Sequence, residues 1–211
     1  MAQPTNTFDT YDAVGIREDL SNVIYSVTPD DTPLYTACKK TKATNTIHEW
    51  QTDTLRSSAV NAHIEGGDTS AGAVTPTVRL RNYTQIFKNA VVIADTEEGV
   101  EKAGRKQEMA YQMLKEAREQ KLDIEKALFE NQEYIAGDSS TARKLAGLGA
   151  WINTNESKGT GGAAPAGDGT DKRTDGTQRV FDQAKFDAVM ESIWTNGGDP
   201  DRVYLSPFQM N

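Results

Sequence analysis

Hydrophobic positions change their period along the chain, and each change marks a boundary. Within residues 44–94 the period is two. Val78 and Leu80 alternate with Arg79 and Arg81 inside Thr77–Phe87, and the Thr-rich run Thr44–Thr54 carries Ile47 and Trp50. Such alternation predicts strands with one wet face. Between the runs lie twenty residues of mainly small and polar type, Arg56–Thr75, including Gly66, Gly67 and Gly72. The simplest object is a long two-stranded ribbon with a flexible tip. A lone hairpin is marginal in water, so something outside the ribbon must hold it.

From Asp95 to Gly137 the period becomes helical. Ala110, Met113 with Leu114, Ala117, Ile124 and Ala127 with Leu128 share one face, interrupted by Lys121. Asp95 with Glu98 resembles a capping box, and Glu97, Glu98 and Glu101 place acid at the positive helix end. Glu98–Lys102 and Glu101–Arg105 stand four residues apart, the spacing of a favourable ion pair. Gly137 supplies a stop. Gly99 and Gly104 weaken the first turns, which moves the firm start toward Arg105. Over thirty-eight helical residues the rod would be about 57 Å long. A compact globule of this size has a diameter of roughly 44 Å, so the pattern predicts an elongated subunit. Lys121 and the narrow alanine-containing stripe weigh against a dimeric coiled coil.

The flanks are less regular. Residues 1–43 read as an arm with short helical pieces at Asp19–Tyr25 and Pro33–Cys38, separated by the turn Thr28–Pro33. In residues 138–211, the glycine-punctuated Leu145–Ile152 is predicted to pack under the long helix. Lys158–Gly176 is rich in glycine and is predicted to be mobile, since it offers little apolar surface to offset its ordering entropy. Asp182 is placed to cap a helix with Phe186, Val189, Ile193 and Trp194 on one side, and Arg202–Leu205 reads as a strand. The fold class implied is α+β.

Composition narrows the function. Of 211 residues, 23 are Lys or Arg and 31 are Asp or Glu, a net charge of −8. The acid is spread evenly, with no basic arm or polybasic patch, which argues against sequence-general nucleic-acid binding and against a membrane surface. One cysteine, Cys38, allows no intrachain disulfide. With 36% hydrophobic residues and a mean hydropathy of −0.64, the chain is short of its own core material.

Catalytic signatures are incomplete. His48-Glu49-Trp50-Gln51-Thr52 begins like a zinc-protease motif, but it lacks the second histidine and lies in a strand-like run. Gly147-Leu148-Gly149 starts like a dinucleotide loop without the third glycine or a βαβ frame. No phosphate-binding loop or nucleophile elbow occurs, and Asp168, Asp171 and Asp175 lack calcium-loop spacing. No catalytic residue, metal site or cofactor is therefore assigned. The pattern leaves a structural protein, with an assembly or scaffold-like module built on the long helix and a small metal-dependent enzyme domain as rivals.

The order of parts carries more than any single motif: arm, ribbon, long helix, mixed α/β segment. It resembles the major capsid proteins of tailed bacteriophages with the Hong Kong 97-type fold. Gly15-Ile16-Arg17-Glu18-Asp19-Leu20 is similar to the opening of one such family. So are Pro29 with Thr32-Pro33-Leu34, the ribbon segment Glu49-Trp50-Gln51-Thr52-Asp53, and Gly147–Asn155 before a glycine-rich insert. Trp194 with Gly197-Gly198 and Pro200, followed by Val203–Phe208, also fits. The resemblance implies an N-terminal arm (1–43), an extended ribbon loop (44–94), a spine helix (95–137) and part of the peripheral and axial domains (138–211). It also implies a C-terminally truncated member, or part of a longer chain. The implied role is a shell subunit of the virion, assembled in the host cytoplasm around double-stranded DNA. Its partners would be copies of itself and other virion proteins. The implied inter-subunit contacts are Phe8, Tyr11 and Ile16 of the arm and Ile47, Trp50, Val78, Leu80, Tyr83 and Phe87 of the ribbon. Some such capsids join subunits by Lys–Asn isopeptide bonds. Lysine is absent from the tip Arg56–Thr75, so that chemistry is not assigned.

Overall fold

The structure is a computed structural model and describes residues 24, 26–105 and 107–210. The arm residues Phe8, Tyr11 and Ile16 and most of the helical piece at 19–25 lie outside them. The described chain is α+β. In order it forms α1 (Pro33–Ala37), β1 (Ile47–Thr52), β2 (Val78–Tyr83), α2 (Asp95–Glu98), α3 (Glu108–Phe129), α4 (Leu148–Trp151), α5 (Gln183–Thr195) and a 3-10 turn, Pro207–Met210. Two compact units divide it. One combines Asn89–Gln120 with the described residues before Thr32; the other combines Thr32–Lys88 with Lys121–Asn211.

In the first unit the predicted single rod is broken. α2 ends at Gly99, and Gly104 takes a left-handed conformation (φ +81°) that interrupts the helix. The foreseen capping box and four-residue ion pairs do not form, because that stretch is not one helix. Glu98 instead caps α3, accepting the N–H of Glu108 at 3.1 Å and of Met109 at 3.2 Å. Lys102 pairs with Glu97, and Arg105 pairs with Glu108. Donation by Gln112 and Arg105 holds the Glu108 carboxyl below its ordinary range. With 22 residues, α3 is about 33 Å long. The length comparison that pointed to an elongated subunit no longer applies.

The second unit contains the ribbon, the end of α3 and the C-terminal segments. β1 and β2 pair antiparallel in the register Ile47 with Tyr83 through Thr52 with Val78. α3 stops at Phe129, short of the predicted Gly137, where the segment Leu145–Gly147 crosses its end. The Gln132 side chain donates to the Leu145 carbonyl at 3.0 Å, and the Gly147 N–H donates to the Gln132 carbonyl at 3.0 Å. A Cβ on Gly147 would lie 2.0 Å from the Glu130 carbonyl oxygen, so only glycine allows this approach. Gly137 (φ +71°) serves a tight turn instead. There Asp138 accepts from the Ser140 N–H and hydroxyl and from the Thr141 N–H, each at 2.7 Å. These donors hold its carboxyl at about 2.

The glycine-rich segment differs from the sequence expectation. Lys158–Gly176 is laced rather than loose. Ala163 and Thr174 exchange backbone bonds at 3.0 and 3.1 Å, and the Thr177 N–H donates to the Thr160 carbonyl at 2.9 Å. Outside the loop, the Tyr134 N–H donates to the Gly169 carbonyl at 3.0 Å and the Asn131 amide to the Arg173 carbonyl at 2.8 Å. Its glycines permit close backbone approach: a Cβ on Gly159 would stand 2.0 Å from the Thr177 carbonyl oxygen. Beyond it, Asp182 caps α5 as expected, accepting the Lys185 N–H at 2.9 Å. Phe186, Val189 and Ile193 are half-buried, whereas Trp194 faces solvent. Arg202–Leu205 does not form a strand. No described segment offers it an edge, and Tyr204 packs on Phe129 instead, with ring centroids 5.6 Å apart.

Apolar burial is slight. Among the described residues the buried hydrophobic side chains are Ala127, Ala146 and Ala150, and no large side chain is fully buried.

Two predictions follow from this packing. Gly147→Ala drives a methyl into backbone and should cost about 1–3 kcal/mol or more. Gly72→Ala, with nothing within 4 Å, should change stability by less than about 0.5 kcal/mol; urea denaturation compares the two. In limited trypsin digestion the bond after Arg56 should be cut before those after Lys172 and Arg173. First cleavage at Lys172 or Arg173 would mean that the lacing does not persist in solution.

Candidate functional site: the docked ribbon and its exposed tip

The register sorts the ribbon into two faces, since side chains alternate along each strand. One face carries Glu49, Gln51, Arg79 and Arg81, with Ile47 and Tyr83 at the root. Glu49 and Arg79 form an ion pair across the strands. This is the wet face expected from the alternation. The other face carries His48, Trp50 and Thr52 of β1 and Val78, Leu80 and Asn82 of β2.

That second face docks on the segment that crosses the end of α3. The Asn82 side chain acts there like a strand backbone. Its Oδ1 accepts the Ala146 N–H at 2.9 Å, and its Nδ2 donates to the Ala146 carbonyl at 3.4 Å. Gln85 Oε1 accepts the Leu145 N–H at 3.2 Å, and Arg143 Nε donates to the Thr84 carbonyl at 3.0 Å. Trp50 packs on Trp151, centroids 5.2 Å apart, and Trp151 Nε1 donates to the same Ala146 carbonyl at 3.3 Å. Tyr83 packs on Tyr134 at 5.1 Å. Two aromatic contacts and a set of side-chain-to-backbone bonds therefore hold the root.

The ribbon residues named from the sequence divide accordingly. Ile47, Trp50, Leu80, Tyr83 and Phe87 are half-buried within this chain, whereas Val78, at the tip end of β2, is exposed. Trp50 thus has a same-chain partner that its alternating pattern did not disclose. Residues 53–77 form no regular strand or helix. Leu55, Val60, Ile64 and Val74 project from them, each between 87% and 99% exposed. These four were missed as contact candidates. Their signal was present: they are the large aliphatic residues in a stretch otherwise small and polar. His63 also lies in the tip, its Nε2 3.0 Å from Asn61 Oδ1, and the His48 ring stands 5.9 Å from Trp50. Among the described residues no group of three or more His, Cys, Asp or Glu is placed to hold a metal ion. Likewise, none of their helices is long and apolar enough to cross a membrane.

The ribbon is thus rooted in its own chain, and its free end carries exposed apolar side chains. The model of the SU10 major capsid protein family matches residues 3–211. The major capsid protein of Escherichia phage Phieco32 is 30% identical over 244 aligned residues, covering 98% of this chain and 68% of that protein. The chain belongs to the SU10 major capsid protein family. Its role is structural, as a subunit of a phage head.

Removing the Asn82 bridge tests how the root is held. Asn82→Ala takes the acceptor from the buried Ala146 N–H, leaves its carbonyl to the Trp151 indole, and should cost about 1–3 kcal/mol. In a protein that keeps Trp50 and Trp151 and has Trp194 replaced by Phe, the same substitution should shift tryptophan emission to the red. Unchanged stability and emission would show that the aromatic contacts alone suffice.

Proposed function

We propose that this chain tiles an icosahedral, Hong Kong 97-type head shell around double-stranded DNA, with its interfaces doing the work and no active site. In this reading 1–43 is the arm and 44–94 the extended loop. Residues 95–137 supply the spine, and 138–211 belong to the peripheral and axial domains. The arm, with Phe8, Tyr11 and Ile16, lies on neighbouring subunits. So does the outer ribbon, with Val78 and the tip residues Leu55, Val60, Ile64 and Val74. The half-buried Ile47, Trp50, Leu80, Tyr83 and Phe87 contribute their remaining exposed surface. Assembly takes place in the host cytoplasm, with further virion proteins as additional partners.

The observation that carries this reading is the tip. Four large aliphatic side chains stand nearly fully in water in a chain whose buried hydrophobic side chains, among the described residues, are three alanines. Apolar surface left in water is costly, and a second copy covering it recovers that cost. The net charge of −8 suits a wall that encloses DNA without gripping it.

Replacing Leu55, Val60, Ile64 and Val74 together by serine tests the proposal. Their exposure predicts a thermal midpoint close to that of the parent protein. Electron microscopy and light scattering should show loss of closed shells and accumulation of subunits or capsomers. Normal shells from the quadruple variant would remove the tip from the interface.

A further inference from the structure

α1 has no cap of its own. Thr32 occupies the N-cap position, yet its side chain bonds no backbone N–H of the helix. The two amides that a cap would satisfy are taken from far along the chain. Glu125, on α3, accepts the Leu34 N–H through Oε1 at 2.9 Å and the Tyr35 N–H through Oε2 at 2.6 Å. The carboxylate is buried, at 9% exposure. Both oxygens are engaged by N–H donors at the positive end of a helix, a geometry in which charge-assisted hydrogen bonds are strong. On the preceding unit, Arg118 stands 3.8 Å from Asp30. A pair this exposed contributes little energy, but it engages the chain directly upstream of α1.

A cap supplied from within a segment costs nothing in long-range order. A cap supplied by a buried carboxylate some ninety residues away also ties α1 to α3. We infer that Glu125 is a positioning residue for assembly. It pins the root of the N-terminal arm to α3, so that the arm leaves each subunit from one fixed point. The inference rests on the reading that the arm contacts neighbouring subunits.

The test separates tethering from simple capping. Glu125→Gln keeps the shape and one acceptor oxygen but loses the charge and the second acceptor. In the full chain, exchange at the Leu34 and Tyr35 amides should become about 10- to 100-fold faster, with the β1–β2 ladder unchanged. Closed shells should be lost. Adding Thr32→Asp to Glu125→Gln supplies a local cap. It should restore protection of the α1 amides but not shell closure. Restored closure in that double variant would mean that Glu125 only caps a helix, and would overturn the proposal. Unchanged exchange in Glu125→Gln would overturn it as well, as would normal shells from that variant. Deletion of residues 1–23 tells these failures apart. If the deleted protein assembles normally, the arm reading itself is wrong; if it fails while Glu125→Gln assembles, only the tether is.

Discussion

The backbone of Ala146 is where the second unit comes together. Its N–H and carbonyl are bracketed by the Asn82 amide of β2, and its carbonyl also receives the indole N–H of Trp151. Its neighbours on either side, Leu145 and Gly147, bond to Gln132 beyond the end of α3. Ribbon, helix end and α4 meet at one short stretch of main chain. The contacts that hold it are polar bonds and close backbone packing at glycine, with tryptophan and tyrosine pairs on the flanks. A subunit built in this way reaches a defined shape without a deep apolar core. It also leaves large aliphatic side chains exposed, Leu55, Val60, Ile64 and Val74 of the ribbon tip among them.

This division of labour suits a shell protein. The root of the ribbon must hold its direction within one subunit, and polar bonds with fixed geometry set direction well. On the proposed function the tip finds its partner on another copy, through exposed aliphatic side chains on an irregular segment. On that proposal, assembly supplies the apolar burial that the described residues lack. The inferred role of Glu125 follows the same logic, a directional bond at α1.

The ribbon was legible in the sequence because period-two alternation is a local signal. Val78 and Leu80 against Arg79 and Arg81 fixed both the strand and its wet face. α1, with Pro33 at its first position, and α5, with its Asp182 cap, were legible for the same reason. What was hidden depends on distance or on context. Asn82 looks like an ordinary polar strand residue until Ala146 is beside it, and nothing in the spacing of Glu125 ties it to Leu34. The late start of the long helix was legible in part: Gly99 and Gly104 oppose helix and pointed to a firm start near Arg105, and α3 begins at Glu108, whereas the separate short helix at Asp95–Glu98 gave no signal of its own. The glycine-rich loop was misread because composition does not separate glycine used for freedom from glycine used for close approach. Arg202–Leu205 has strand-like residues, but a strand exists only against a partner.

The central claim is that the tip of the ribbon is covered by another copy of the chain and its root is not. Hydroxyl-radical footprinting of free subunits and assembled shells measures this directly, residue by residue. The account predicts that oxidation of Leu55, Val60, Ile64 and Val74 falls sharply on assembly, while Trp151 and Tyr134, already engaged at the root, change little. Tip residues that stay equally reactive in the shell would contradict it.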